Sequence, residues 1–369
     1  MESSNRKIGI REYMAIAFLT VGTKLSDDTP TLLVSETLTA GWIAALLTGI
    51  ISIVPVLLMI KVLSVHKGKN FYEVLIFLFG KLIGNLIAMV LLLIAFSALI
   101  IDSAIYTDII DTMYFTTTPA IVIYGVLMLV CTFGAKKGLE QIGSVAWLLL
   151  FYIKITLFIV LLYAWQGGRP SFIFPLWGGG KGQIIKAGIT KVSLFADFLY
   201  FGMIAPLVTS FKSFKKGTWI ALAVVTIELT AAVMAYTILL DYTTLRLINY
   251  PFHEAIRNIN IGFLTNVEML FFPFWLLATF IRFSFYLYIV TMLFGFIFKI
   301  KQFSYVLPVV ATLVVFIGIA PEAPTFTIFQ LRETLLTIVS PVYIGVPCLM
   351  WITSKIKGGT ENEKKMEKN

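Results

Sequence analysis

Long apolar runs dominate this sequence and constrain its fold more than any other feature. Of 369 residues, 59% are hydrophobic and only 13% are charged. Ten runs approach or exceed the ~17 to 25 residues that cross a bilayer as a helix. They lie at about 10–34, 40–63, 82–107, 119–134, 144–165, 187–210, 218–240, 267–298, 303–320 and 335–354. The pattern predicts an all-α polytopic membrane protein with ten transmembrane helices.

Lysine and arginine fall unevenly on the two sides of these predicted spans. Nineteen lie on the side that holds both termini, and seven lie on the other, namely Arg169, Lys181, Lys186, Lys191, Arg246, Arg257 and Arg332. The positive-inside rule therefore predicts cytoplasmic termini. The net charge of +9 is explained by contact with anionic membrane lipids, so we expect no nucleic acid partner. Residues 1–355 read as one membrane domain, and the polar segment 356–369 reads as a disordered cytoplasmic tail.

The stretch "GTKLSDDTPTLL", which begins at Gly22, interrupts the first run. Lys24, Asp27, Asp28 and Pro30 fall where a spanning helix least tolerates a charge or a lost hydrogen bond. These residues predict a broken first helix. In an alternative interpretation, the helix runs from about 10 to 26 and leaves the membrane, and both aspartates then lie in water.

A second interruption lies in the sixth run. Asp197, Gly202 and Pro206 occur together in "KVSLFADFLYFGMIAPLV". The alternative is a kinked helix in which Gly202 and Pro206 only shape packing. Interrupted first and sixth helices predict a five-plus-five inverted repeat, about 8–165 and 186–355, with a ligand site near the midplane. In such a site, half-helix N-termini attract a carboxylate and freed carbonyls accept an ammonium group or a cation.

Two basic residues lie in the middle of apolar runs. Lys154 in the fifth run is a candidate proton carrier or a fixed substitute for a bound cation, and the alternative is a lysine that snorkels or pairs structurally. Arg282 in the eighth run needs a carboxylate or carbonyl partner, for which we favour a structural pairing. The sequence leaves the partner open among four carboxylates, which are Asp27, Asp102, Asp108 and Glu228.

Motifs for catalysis or metal binding are missing from the sequence. No nucleotide-binding loop, zinc-binding pair or nucleophile elbow occurs. The two histidines and two cysteines are scattered without ligand spacing. We therefore expect no enzymatic activity, no metal and no cofactor.

Several stretches, in order, carry a family resemblance. They include "IGIREYMAIAFLTVGTKLSDDTPTLL", "HKGKNFYEVLIFLFGKLIGN", "RPSFIFPLWGGGKGQIIKAG" and "YPFHEAIRNINIGFLTNVEMLFFPFWLLATFIRFSFYLY". The chain resembles the B subunit of the spore germinant receptors of endospore-forming bacteria, a branch of the amino acid, polyamine and organocation transporter superfamily. The resemblance implies a pocket between helices 1, 3, 6 and 8. The candidate ligand-binding residues are Gly22, Thr23, Lys24, Asp27, Asp197, Tyr200 and Gly202, with Lys154 and Arg282 as coupling or cation-substituting residues.

The resemblance also implies a function and partners. It implies a sensor of a small nutrient germinant, often an amino acid or sugar, that acts with an A-type membrane subunit and a C-type lipoprotein in the spore inner membrane. In related transporters a lysine of helix 5 takes the place of a sodium ion, and Lys154 lies at a comparable depth. The chain departs from the family's Gly-x-Gly-type run in helix 1, where only Gly22 remains. Two other functions stay open: a proton-coupled amino acid or amine transporter, and a structural scaffold subunit.

Overall fold

A computed structural model describes residues 7–259, 268–321, 323 and 326–366, with side chains described as far as 357. Within these residues the secondary structure is helical without strands, and a single backbone bridge joins Ile8 and Val208. The α-helices are α1 Ile10–Gly22, α2 Thr29–Thr37, α3 Gly41–Val65, α4 Phe71–Met113, α5 Ala120–Lys137, α6 Leu139–Gly167, α7 Lys181–Thr190, α8 Asp197–Phe201, α9 Phe211–Leu240, α10 Tyr242–Leu245, α11 Pro251–Arg257, α12 Glu268–Phe298, α13 Leu307–Gly318 and α14 Glu333–Met366.

The polytopic membrane class is confirmed, because many of these helices are long and apolar. Seven helices of the described residues could cross a membrane, with Thr29–Val65 counted as one, and the number is eight if a bent pair forms one span. The bent pair is Lys181–Thr190 and Val192–Leu207, with an angle of 44°. The exact count of ten and the inverted repeat stay predictions. Helix α14 extends to Met366. The disorder of residues 356–369 stays a prediction.

The first predicted span is broken where the sequence indicates. Helix α1 ends at Gly22, a 3₁₀ turn covers Thr23–Leu25, and the α-helix resumes at Thr29. Pro30 lies in the first turn of α2, where its missing N–H costs nothing. Asp27 and Asp28 are fully buried. The alternative with both aspartates in water is therefore wrong.

The sixth predicted span is also broken, but earlier than Gly202. Helix α7 ends at Thr190, a 3₁₀ turn covers Val192–Phe195, and α8 begins at Asp197. A further 3₁₀ stretch, Gly202–Leu207, ends the span. Its end lies beside the start of α1, because the N–H of Ile8 donates to the carbonyl of Leu207 at 2.8 Å.

Pro251 begins helix α11, since proline is favoured in the first turn of a helix. The helix packs His253 inward, where the residue is only 1% exposed. The His253 ring lies edge-on to Trp275 at 4.7 Å, and its Nδ1 lies 2.8 Å from the Tyr114 hydroxyl. Helix α11 is thereby tied to α12 and to the end of α4.

His253 gives a prediction for the pH dependence of stability. Burial, with a smaller contribution from Arg257, lowers the pKa of His253 from 6.5 to about 3. Between these values only the unfolded chain binds the proton, so stability is full above about pH 6.5 and falls as the pH drops toward 3. We expect the unfolding temperature of the purified protein to fall from pH 7 to pH 5. The fall should be smaller in His253→Asn, and an identical fall in both proteins would contradict the assignment.

Candidate functional site

Lys24 joins the two helix breaks. It lies in the 3₁₀ turn of the first break and is 7% exposed. Its ammonium donates to the carbonyl oxygen of Leu194 at 2.6 Å and forms a short ion pair with Asp197. Leu194 lies in the 3₁₀ turn of the second break, and Asp197 is the first residue of α8. One lysine therefore binds both a main-chain oxygen and a carboxylate of the other broken helix.

Arg282 of α12 is the second buried cation at the first break. Its side chain forms a short ion pair with Asp102 of α4 and lies 3.7 Å from Asp27. It also donates to the hydroxyls of Thr23 and Tyr106, at 3.0 and 2.8 Å. The structural pairing favoured for Arg282 is present, and Asp102 and Asp27 are its carboxylate partners.

Arg332 is a third buried cation, which the sequence analysis placed in an outer segment. It is 2% exposed and ends the π-helical turn Thr327–Arg332 before α14. Its guanidinium contacts Asp28 at short range, lies 2.9 Å from Asp27 and lies 3.8 Å from Asp102. The apolar run begins only at about residue 335, so hydropathy gave no signal for Arg332. The last helix therefore contributes to a site that the resemblance assigned to helices 1, 3, 6 and 8.

The two arginines and three carboxylates form a network that we name the break cluster, and its members are Asp27, Asp28, Asp102, Arg282 and Arg332. The three carboxylates carry one more charge than the two guanidinium groups. The N-terminus of α2 offsets part of this excess, since the amide N–H of Thr29 donates to Asp27 at 2.8 Å. Side chains also satisfy a main-chain oxygen at the first break, because the hydroxyls of Ser26 and Tyr106 donate to the carbonyl of Thr23 at 2.6 and 2.9 Å.

Lys191 is another residue that the sequence analysis placed outside and that the structure buries. It is 1% exposed and forms ion pairs with Glu36 and Glu333, at 2.8 and 3.1 Å. These carboxylates lie near the end of α2 and at the start of α14. Lys191 thus links the second break to α2 and α14.

Lys154 forms a separate pair with Glu228 of α9. Its ammonium donates to Glu228 at 2.6 Å, and the two side chains are 23% and 18% exposed. A Cβ placed on Gly22 would lie 3.6 Å from the Lys154 ammonium and 3.4 Å from the Glu228 carboxylate. Lys154 therefore lies against the end of α1, next to the first break but outside the break cluster.

Two cavities border the first break. One of about 50 Å³ lies where Lys24, Asp197 and Tyr200 meet apolar residues of α4 and α14. The other, of about 40 Å³, is lined by Gly22, Thr23, Lys154 and aromatic residues. Predicted site residues thus surround two small cavities. Gly202 lines neither.

Gly202 packs against α3 and α4. A Cβ on Gly202 would lie 3.0 Å from the Phe71 ring and 3.3 Å from the Met59 sulfur. Gly202→Leu should therefore lower the free energy of unfolding by roughly 1–3 kcal/mol through overpacking. Thermal unfolding of the purified variant measures this. In Gly125→Leu the added Cβ meets no heavy atom within 4 Å, so this control should unfold near the wild-type temperature. Equal unfolding temperatures for Gly202→Leu and Gly125→Leu would contradict the packing argument.

Sequence comparisons decide the family. The sequence pattern of a family described as "Spore germination protein" matches residues 13–327. The chain belongs to the spore germination protein family. Among curated relatives, "Spore germination protein B2" of Bacillus subtilis (strain 168) is 24% identical over 189 residues, which is 51% of each chain. "Spore germination protein KB" of the same strain is 26% identical over 184 residues, 48% of this chain and 49% of that one. The chain spans about half the length of the curated relatives it matches.

The buried carboxylates at the two breaks of this spore germination protein face lysine and arginine side chains. Among the described residues, no group of three or more His, Cys, Asp or Glu side chains could hold a metal ion.

Proposed function

We propose that this chain is the nutrient-sensing subunit of a spore germination receptor. A small germinant, such as an amino acid, would bind between the two breaks and favour one conformation by its differential affinity. The change would pass to an A-type membrane subunit and a C-type lipoprotein in the spore inner membrane. We place both termini in the cytoplasm and assign ten spans in a five-plus-five inverted repeat.

One observation carries this proposal: two broken helices meet at a small cavity through Lys24, Leu194 and Asp197. Main-chain groups at a break in a membrane span need a partner, and a ligand can supply that partner. Such a break is also able to change conformation, because short helical segments on either side move without disrupting a continuous helix. Family membership supports a role in germination.

A transporter is the second candidate, and a larger cavity favours it. This cavity of about 560 Å³ lies at the end of the bundle where α1 begins, between Asn70, Lys137, Met203 and Tyr288. Met203 and Pro206 of the broken sixth span line it. A cavity on one side of a closed site is the arrangement that alternating access requires.

Labelled nutrients in proteoliposomes test the two functions. Purified protein is incubated with pooled radioactive amino acids and sugars, with and without an inward proton gradient. The sensor predicts retention near one ligand per protein that the gradient does not change. Accumulation far above one per protein, lost when the gradient collapses, would identify a transporter. No retention would contradict an intact ligand site in the isolated chain.

A further inference from the structure

The ammonium of Lys24 lies in a site made by the second break. The carbonyl oxygen of Leu194 and the carboxylate of Asp197 are its two acceptors. They lie close in sequence, because Leu194 is in the 3₁₀ turn of the second break and Asp197 is the first residue of α8. An acceptor carbonyl beside a carboxylate is an arrangement that suits a primary ammonium group, which has three N–H donors and one positive charge.

The occupant of this site comes from the other broken helix. Lys24 reaches the site from the turn Thr23–Leu25, and the side chains of Lys24 and Asp197 are 8% and 3% exposed. Lysine carries its charge on a flexible four-carbon stem with several rotamers. The ammonium can therefore leave the acceptors by side-chain rotation without unwinding α1.

The neighbouring cavity gives a small molecule access to the same acceptors. Lys24, Leu194 and Asp197 all line the cavity of about 50 Å³, and Ala98 and Val339 contribute apolar wall. A small amine that enters this cavity can thus lie against apolar side chains while its ammonium reaches the second break. The Lys24 ammonium already occupies the two acceptor oxygens.

We propose that Leu194 and Asp197 form a primary-ammonium site that Lys24 occupies as a tethered competitor. A ligand with a primary amino group binds there by displacing the Lys24 ammonium, which then moves away from the second break. The inference rests on the function proposed above and names the ligand's chemical class. Lys24 sets the concentration at which an amine can compete, because the ligand must replace an ion pair that is already formed.

Chemical rescue tests the proposal without knowledge of the germinant. Lys24→Ala removes the occupant and leaves Asp197 unpaired next to open space. Methylammonium chloride should then raise the unfolding temperature of the purified full-length variant in a saturable manner, recovering most of the loss. Tetramethylammonium chloride at the same ionic strength is the control, since it has the charge but no N–H donor.

Wild-type protein and Lys24→Met complete the comparison. In wild type the tethered Lys24 ammonium outcompetes methylammonium, which has no further group to bind the cavity, and in Lys24→Met an apolar side chain of similar length fills the space. In both proteins methylammonium should therefore give no more stabilisation than tetramethylammonium. A Lys24→Ala protein that responds equally to both salts would overturn the proposal. Equal methylammonium stabilisation of wild type and Lys24→Ala would also overturn it.

A double variant covers the case in which Lys24→Ala does not accumulate. Removing one partner of a buried pair leaves an uncompensated charge, whereas removing both does not. Lys24→Ala combined with Asp197→Asn should therefore accumulate at a higher level than Lys24→Ala alone. No improvement would overturn the pairing on which the site depends. These results are independent of the labelled-nutrient assay, so failure of the site and failure of the sensor role are distinguishable.

Discussion

Arg332→Met should destabilise the protein more than substitution of any exposed charge. The Arg332 side chain is 2% exposed and contacts Asp27, Asp28 and Asp102. Without it, Asp28 would lose its ion-pair partner, and Arg282 would remain as the partner of Asp27 and Asp102. Breaking a buried pair by removal of one partner costs about 3–5 kcal/mol. We expect a loss of this size in the free energy of unfolding, seen as a large fall in unfolding temperature and in the amount of folded protein.

Arg257→Met is the matched control. The Arg257 side chain is 40% exposed and pairs with Glu254 at 3.4 Å, and exposed pairs contribute about 0–1 kcal/mol. Adding Asp28→Asn to Arg332→Met removes one unpaired carboxylate and should recover part of the stability. Similar unfolding temperatures for the Arg332 and Arg257 variants would contradict the role of Arg332 in the break cluster.

Lys154→Ala should abolish the response to nutrient while the protein still accumulates. Lys154 places a positive charge beside Gly22, where α1 ends, and its ammonium lies 5.6 Å from the Phe18 ring centroid. Loss of this charge would leave the Glu228 carboxylate without the Lys154 ammonium beside the first break. The pair is partly exposed, so its removal costs less stability than removal of Arg332. The readout is nutrient-induced germination of spores that carry the variant, with the protein quantified by immunoblot.

Glu228→Gln and Lys355→Ala show whether a lost response comes from loss of the Lys154–Glu228 pair or from removal of any lysine. Glu228→Gln removes the partner's charge and should weaken the response if the pair acts as a unit. Lys355 lies on α14 with its ammonium over the Trp351 ring at 4.3 Å, far along the chain from both breaks, so Lys355→Ala should respond normally. A normal response of Lys154→Ala would contradict a role for Lys154 in sensing.

The sequence predicted the membrane class and the first break because both depend on local properties. Apolar length sets which helices can span a bilayer. Lys24, Asp27, Asp28 and Pro30 are unfavourable within a continuous helix, so their position indicated the break at Thr23–Leu25. Such features need no knowledge of which elements pack together.

The 44° bend of the sixth span could not be located from the sequence, because tertiary contacts determine its position. Gly202 and Pro206 are strong helix-breaking signals, yet the 44° bend falls before Asp197 in a segment without glycine or proline. The Ser340 hydroxyl of α14 donates to the carbonyl of Thr190 at 2.6 Å, and it accepts from the amide N–H of Ser193 at 3.2 Å. These contacts satisfy the broken backbone, and no local pattern reveals them.

The ion-pair partners could not be predicted from the sequence for the same reason. Asp102 and Arg282 are 180 residues apart in the chain, and Asp27 and Arg332 are 305 apart. The sequence narrowed the partners of Arg282 to four carboxylates, and the packing of α4 and α12 selected among them. Arg332 was missed because its charge precedes the apolar run that marks the last span.

A cavity-filling variant tests the central claim most directly. Ala98 lines the cavity between the breaks, and Leu93, on the same helix, is 58% exposed. We would measure the nutrient concentration for half-maximal germination in spores that carry this chain as wild type, Ala98→Leu or Leu93→Phe, at equal protein levels. The account predicts a rise of about tenfold or more for Ala98→Leu, equivalent to ~1.4 kcal/mol of ligand affinity, and no change for Leu93→Phe. Unchanged values for both variants would contradict a ligand site between the two breaks.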